Sequence, residues 1–231
     1  FARAISSLMR LTFEKFDGAA LLIVCDIGSS DLMKNISSSI VSMLYNIQLL
    51  KYAGEDGVAA YGVLMYVNMI FLAAFIGFSV GVSPVIGYHS GAGSYEELKG
   101  LLKKSFIITT VFAVLMFAAA QLLAGPLSRM FVGYDQELLT MTLRGFFVFS
   151  FSFLFAGFAI FGSAFFTALG DGLTSALISF LRTLVFQISA VLLLPLIWGL
   201  DGIWISIVAA EAAAVIVALL FLLGKRRKYH Y

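Results

Sequence analysis

Six long apolar stretches, separated by short polar connections, constrain this chain more than any other feature of its sequence. They run about 35–52, 58–84, 104–124, 138–168, 173–198 and 203–223. A hydrocarbon core about 30 Å thick takes around 20 helical residues at about 1.5 Å each, and every stretch meets or approaches that length. The first is the most polar, interrupted by Ser37, Ser38, Ser39, Ser42, Asn46 and Gln48. Composition agrees: of 231 residues 61% are hydrophobic and 12% charged, against about 25% charged in a soluble domain. So little polar surface cannot cover a water-facing exterior. Transmembrane β-barrels show short alternating segments instead of long runs. The fold class expected is all-α and integral to the membrane, a six-helix bundle.

Three of the connections share one chemistry: Gly54-Glu55-Asp56-Gly57, Gly170-Asp171-Gly172 and Gly199-Leu200-Asp201-Gly202. Glycine ends one helix in a left-handed conformation and an aspartate caps the next, which predicts tight helical hairpins. The connections near 85–103 and 125–137 are longer. In the first, Gly87 to Gly93 reads as a turn and 94–99 as a short amphipathic helix on the membrane surface. Of the 15 Lys and Arg, eleven fall on one side: Arg3, Arg10, Lys15, Lys34, Lys99, Lys103, Lys104, Lys225, Arg226, Arg227 and Lys228. Lys51 and Arg129 fall on the other, and Arg144 and Arg182 lie within stretches. By the positive-inside rule both ends are cytoplasmic. The expected organisation is a cytoplasmic linker with amphipathic character over 1–30, a helical unit over 31–224 and a basic tail over 225–231, in the cell membrane. The opening Phe1, with no signal peptide after it, reads as an internal cut. Cys25 is the only cysteine, which leaves no intrachain disulfide.

Polar groups inside apolar stretches are costly and therefore informative. Glu211 sits about eight residues into the last stretch, near the midplane. It reads either as a proton or cation site or as a carboxyl that glues two helices by hydrogen bonding. Arg182 invites pairing with it, yet counting each from the turn at 199–202 leaves a mismatch of about eight residues, about 12 Å. On that count Gln187 is the better depth match, and Arg182 snorkels toward the headgroups or meets another helix. Asn35, Ser38, Ser39, Ser42, Tyr45 and Asn46 recur at helical spacing as one polar stripe, and Asn68 matches Asn46 in depth. The stripe lines a water-filled cavity or holds the bundle together. Small residues at Gly77, Ser79, Gly81 and Ser83, and at Gly157, Gly162 and Ser163, predict close helix packing. Pro195 can kink its helix near the outer end, where Arg144 snorkels. The two histidines, His89 and His230, lie outside the stretches, and no metal-ligand spacing or phosphate-binding loop occurs. These residues give no reason to expect an enzyme, a metal, another cofactor or a nucleic-acid partner.

Three segments carry a family resemblance. Gly77-Phe78-Ser79-Val80-Gly81-Val82-Ser83-Pro84, continuing to Tyr88 and then Gly91-Ala92-Gly93, looks like the eighth-helix region of the multidrug and toxic compound extrusion (MATE) family. Ala168-Leu169-Gly170-Asp171-Gly172, with 179–182 after it, resembles the connection between the tenth and eleventh helices. Gly199-Leu200-Asp201-Gly202-Ile203-Trp204, followed by Ala210-Glu211, resembles the final hairpin. The resemblance extends from about Gly28 onward. It implies the C-terminal lobe of a twelve-helix antiporter that exports small organic cations against protons or sodium, with an N-terminal six-helix lobe and the bilayer as partners. Members with an acidic cation site in this lobe carry carboxylates on the seventh and tenth helices. Here 35–52 and 138–168 have none at their centres, and Glu137 lies at the outer edge. Coupling then rests on the other lobe or on Glu211. Ser42, Tyr45, Asn46, Asn68, Gln187 and Arg182 are the substrate-facing residues expected. The alternatives are a flippase for lipid-linked sugars, which needs cationic cavity residues, and a membrane assembly subunit that transports nothing.

Overall fold

The computed structural model describes residues 18–229 and 231, with side chains from Asn35 onward. All of its ordered elements are helical: α1 (Gly18–Gly91), α2 (Tyr95–Val132), α3 (Gln136–Phe149), α4 (Phe153–Ala168), α5 (Gly172–Phe180) and α6 (Gln187–Tyr229). A 3-10 turn, Ser150–Ser152, joins α3 to α4, and a π-helical turn, Leu181–Phe186, joins α5 to α6. Four stretches are long and apolar enough to cross a membrane: Asn35–Gly91, Tyr95–Val132, Gln136–Ala168 and Gly172–Tyr229. Of the expected linker, 1–17 lies outside the described residues, as do the side chains of Cys25 and Lys34 and all of His230. The backbone is helical from Gly18.

Two of the four stretches fold back on themselves. A straight helix from Asn35 to Gly91 would be about 86 Å long, nearly three bilayer cores. Instead α1 breaks at Gly54, with φ 64° and ψ −153°, a region open essentially to glycine alone. The reversal brings Tyr45 to stack on Tyr61 with ring centroids 5.3 Å apart, where an unbroken helix would hold them about 24 Å apart. Gly199 does the same in α6, at φ 58° and ψ −133°. There the returning arm lies so close that a Cβ on Gly202 would come within 2.4 Å of the Leu194 carbonyl oxygen. The expected glycine hairpins are thus present. The expected aspartate cap is made at Asp171, whose Oδ1 accepts from the Thr174 amide at 3.2 Å.

The two longer connections shrink. Residues 94–99 are not a separate surface helix; Ser94 precedes α2, and Tyr95 opens it. Only Ala92 to Ser94 and Gly133 to Asp135 are left outside helix there. Charged residues continue a helix as readily as apolar ones, so a drop in hydropathy marks the edge of the bilayer and not the end of the helix.

Packing falls into two clusters. One gathers Tyr45, Leu49, Leu64, Phe146, Phe153 and Trp204; the other Ile86, Leu98, Phe161, Phe165, Ile178 and Leu222. Gly157 and Gly162 permit close approach as expected: a Cβ on Gly157 would meet the Phe75 ring at 2.5 Å, and one on Gly162 would meet Ala218 at 3.1 Å. Gly77 and Gly81 do not, since nothing lies within 4 Å of a Cβ placed there. Outward-facing Leu122, Leu196 and Ile197 are 79%, 70% and 70% exposed, part of an extended apolar exterior that suits a lipid solvent.

Candidate functional site

A cavity of about 790 Å³ opens among both arms of α1, the 3-10 turn, α4, α5, the π turn and both arms of α6. Ser42, Tyr45, Asn68, Arg182, Gln187 and Glu211 all line it. Asn46 does not; it lines an adjoining hollow of about 940 Å³ that shares Asn35, Ser38 and Ser42 with the first. The stripe on the first arm therefore faces two connected spaces. Its deepest member is tied down: Tyr45 is 1% exposed and its hydroxyl lies 2.8 Å from Ser206 Oγ. Ser206 donates to the Ile203 carbonyl at 2.6 Å, so the Tyr45 hydroxyl is the donor between them. That bond pins the first arm of α1 to the last arm of α6.

Arg182 pairs with Glu211, contrary to the expectation from depth counting. Arg182 Nε donates to Oε2 at 2.8 Å and Nη2 to Oε1 at 2.9 Å, a bidentate pair. Two features of the chain explain the error. Gly202 lies against Leu194 and Pro195, so the arms cross earlier than a turn spanning 199–202 would place them. Counting from that contact, Glu211 stands level with residues 185–186, and Arg182 is only about 5 Å further along, within guanidinium reach. The π turn, Leu181–Phe186, also packs more residues into each turn than an α-helix does. Gln187 remains near the same depth. Both carboxylate oxygens of Glu211 are engaged by Arg182, and the residue is 4% exposed.

The remaining buried polarity organises the walls. Ser163 Oγ lies 2.9 Å from Ser175 Oγ and 2.8 Å from Ser179 Oγ, and Thr167 Oγ1 lies 2.6 Å from Ser175 Oγ. This hydroxyl chain joins α4 to α5 on the cavity wall and escaped the sequence reading. Its signal was the four-residue spacing of 163 to 167 and 175 to 179. Ser79 Oγ, also on the cavity wall, is buried without a hydrogen-bond partner. At the α3 end Arg144 is 68% exposed and meets Asp201, so the guanidinium that was expected only to snorkel also ties α3 to the last hairpin.

At the opposite end Lys225 Nζ lies 2.6 Å from Asp171 Oδ2, and the Tyr229 hydroxyl donates to the same oxygen at 2.8 Å. Lys225 also donates to Thr174 Oγ1. Burial alone would push the Asp171 carboxyl up; the hydrogen bonds from Lys225, Tyr229 and Thr174 outweigh it and hold the group well below the usual carboxylate range. Among the described residues no three of His, Cys, Asp and Glu cluster to hold a metal ion.

Residues 32–193 match the MatE family model. The chain is 26% identical over 196 residues to the probable multidrug resistance protein NorM of Thermotoga maritima, covering 84% of this chain and 42% of that protein. Among solved structures, an outward-facing multidrug resistance MATE family transporter of the MOP superfamily superposes with a TM-score of 0.88 at 21% identity, over 96% of this chain and 50% of that one. A MOP superfamily transporter from Pyrococcus furiosus, described as having a binding pocket of reverse polarity that suggests a different function, superposes at 0.85 and 21% identity, over 94% and 49%. The Vibrio cholerae MATE transporter VcmN in its bent form does so at 0.83 and 20% identity, over 93% and 48%. The chain thus spans about half the length, or less, of each of these proteins.

Proposed function

The chain belongs to the MatE family of membrane transporters, and from that premise we propose that it forms one six-span lobe of a secondary multidrug transporter. The two backbone reversals at Gly54 and Gly199 support six spans in place of four. Both ends lie on the cytoplasmic face of the cell membrane, the basic tail among the headgroups. A second six-helix lobe, joined through 1–30, closes the cavity. The transported solutes are small organic cations and related amphiphiles, exported against a proton or sodium gradient.

The observation that carries this reading is the cavity itself. It is of ligand size, it is walled by polar groups from α1, α4, α5 and α6, and its charged residues, Arg182 and Glu211, neutralise each other. A lipid-linked sugar flippase would need unpaired cations for phosphate, and this lobe offers one guanidinium already shared with a carboxylate. Because Glu211 is engaged on both oxygens, the coupling carboxylate of the transporter belongs outside this lobe.

Export of ethidium by cells expressing the protein at its natural length tests the proposal. Lower steady-state dye than in control cells, restored by collapsing the proton or the sodium gradient, is the expected result. Unchanged dye with lipid-linked sugar accumulating on the outer leaflet would instead establish the flippase.

A further inference from the structure

A guanidinium has five N–H donors in one plane, and each of two edges can hold a carboxylate by paired hydrogen bonds. In Arg182 the edge formed by Nε and Nη2 is taken by Glu211. The edge formed by Nη1 and the second proton of Nη2 has no partner among the described residues. The side chain is 16% exposed against 6% for Glu211, so the pair turns its cationic member toward the cavity that both residues line. Donors so placed can meet a solute that enters the cavity.

The π turn affects which residue shares the face of Arg182. Five residues along an α-helix correspond to a rotation of about 140° from the starting face, which would turn Gln187 away from Arg182. The wider i→i+5 turn over Leu181–Phe186 brings Gln187 back toward the same face, and both residues line the cavity. The Gln187 and Asn68 amides make no hydrogen bond to other described residues, and Ser79 Oγ is buried without one. Phe149, Ile160 and Ile207 are among the apolar residues of the wall.

We propose that the open edge of Arg182, with the Gln187 amide, is a carboxylate subsite that holds an acid group of the transported amphiphile. A flat, singly charged carboxylate matches two parallel donors. A phosphate dianion would bring two charges into a cavity whose own charges already cancel, and desolvation opposes that. The subsite deepens the transport reading above, on which it rests. It selects, among amphiphiles of similar shape, those that carry an acid; a permanent cation without one crosses unanchored.

The natural-length protein in nanodiscs, titrated by equilibrium dialysis with 2-naphthoate and with its near-isostere 2-naphthamide, tests it. The carboxylate should bind about tenfold more tightly, the scale of one charge-assisted pair. Arg182→Gln combined with Glu211→Gln removes both charges together and should erase the preference, while Gln187→Leu should reduce it without moving the melting temperature. Equal binding of acid and amide to the unaltered protein overturns the subsite, as does a preference retained by the folded double variant. If that variant does not fold, Gln187→Leu decides: an undiminished preference overturns the assignment. Ethidium export by cells expressing the same proteins separates the two claims. Dye export without acid preference defeats the subsite alone, and acid preference without dye export defeats the drug-transport reading while the subsite stands.

Discussion

Arg182 and Glu211 are each prohibitive in the membrane interior alone and tolerable together. Their pair is bidentate, and 16% and 6% exposure leaves little water to replace it. Breaking a buried pair by removing one partner costs about 3–5 kcal/mol, whereas neutralising both is often near neutral. Glu211→Ala should therefore melt well below the unaltered protein in detergent, and Arg182→Gln with Glu211→Gln should recover most of the loss. A Glu211→Ala protein that melts like the parent would show that the pair holds nothing together.

Among the elements, the turn between α4 and α5 shows most clearly how local chemistry serves the bundle. Asp171 caps α5 through Thr174 and receives Lys225 and Tyr229 from the end of α6, so one carboxylate joins three helix ends. Because the folded state holds Asp171 below its unfolded value, near 3.9, its contribution is fully present above about pH 4 and is lost as pH falls below that. Asp171→Asn should lower the melting temperature at neutral pH, by the equivalent of about 1.5 kcal/mol or more. The gap between variant and parent should close on acidification below pH 4. A gap independent of pH would mean that charge at this position does not matter.

At the scale of the whole molecule, the reversals at Gly54 and Gly199 decide how many times the chain crosses the bilayer. Accessible-cysteine or glycosylation reporters at Asp56, Asp135 and Asp201 should all label the side opposite a reporter after Tyr231. Labelling of Asp201 from the cytoplasmic side would reverse the orientation argued from Lys and Arg.

Much of this was legible in the sequence because membrane insertion is governed by local quantities. Apolar runs of sufficient length must be helical, since no water is present to satisfy a bare backbone. Gly54, Gly170 and Gly199 mark turns because only glycine takes those torsions cheaply. The polar stripe from Asn35 to Asn46 has helical spacing, and spacing alone places it on one face. What the tertiary structure decided was relative depth between helices. The Arg182–Glu211 pair depends on how tightly Gly202 seats against Leu194 and on a π turn that no residue in 181–186 announces. The hydroxyl chain from Ser163 to Ser179 and the open space around Gly77 and Gly81 depend likewise on which helices meet. A shift of a few residues between neighbouring helices leaves every local preference satisfied, so the register is set only by packing across the bundle.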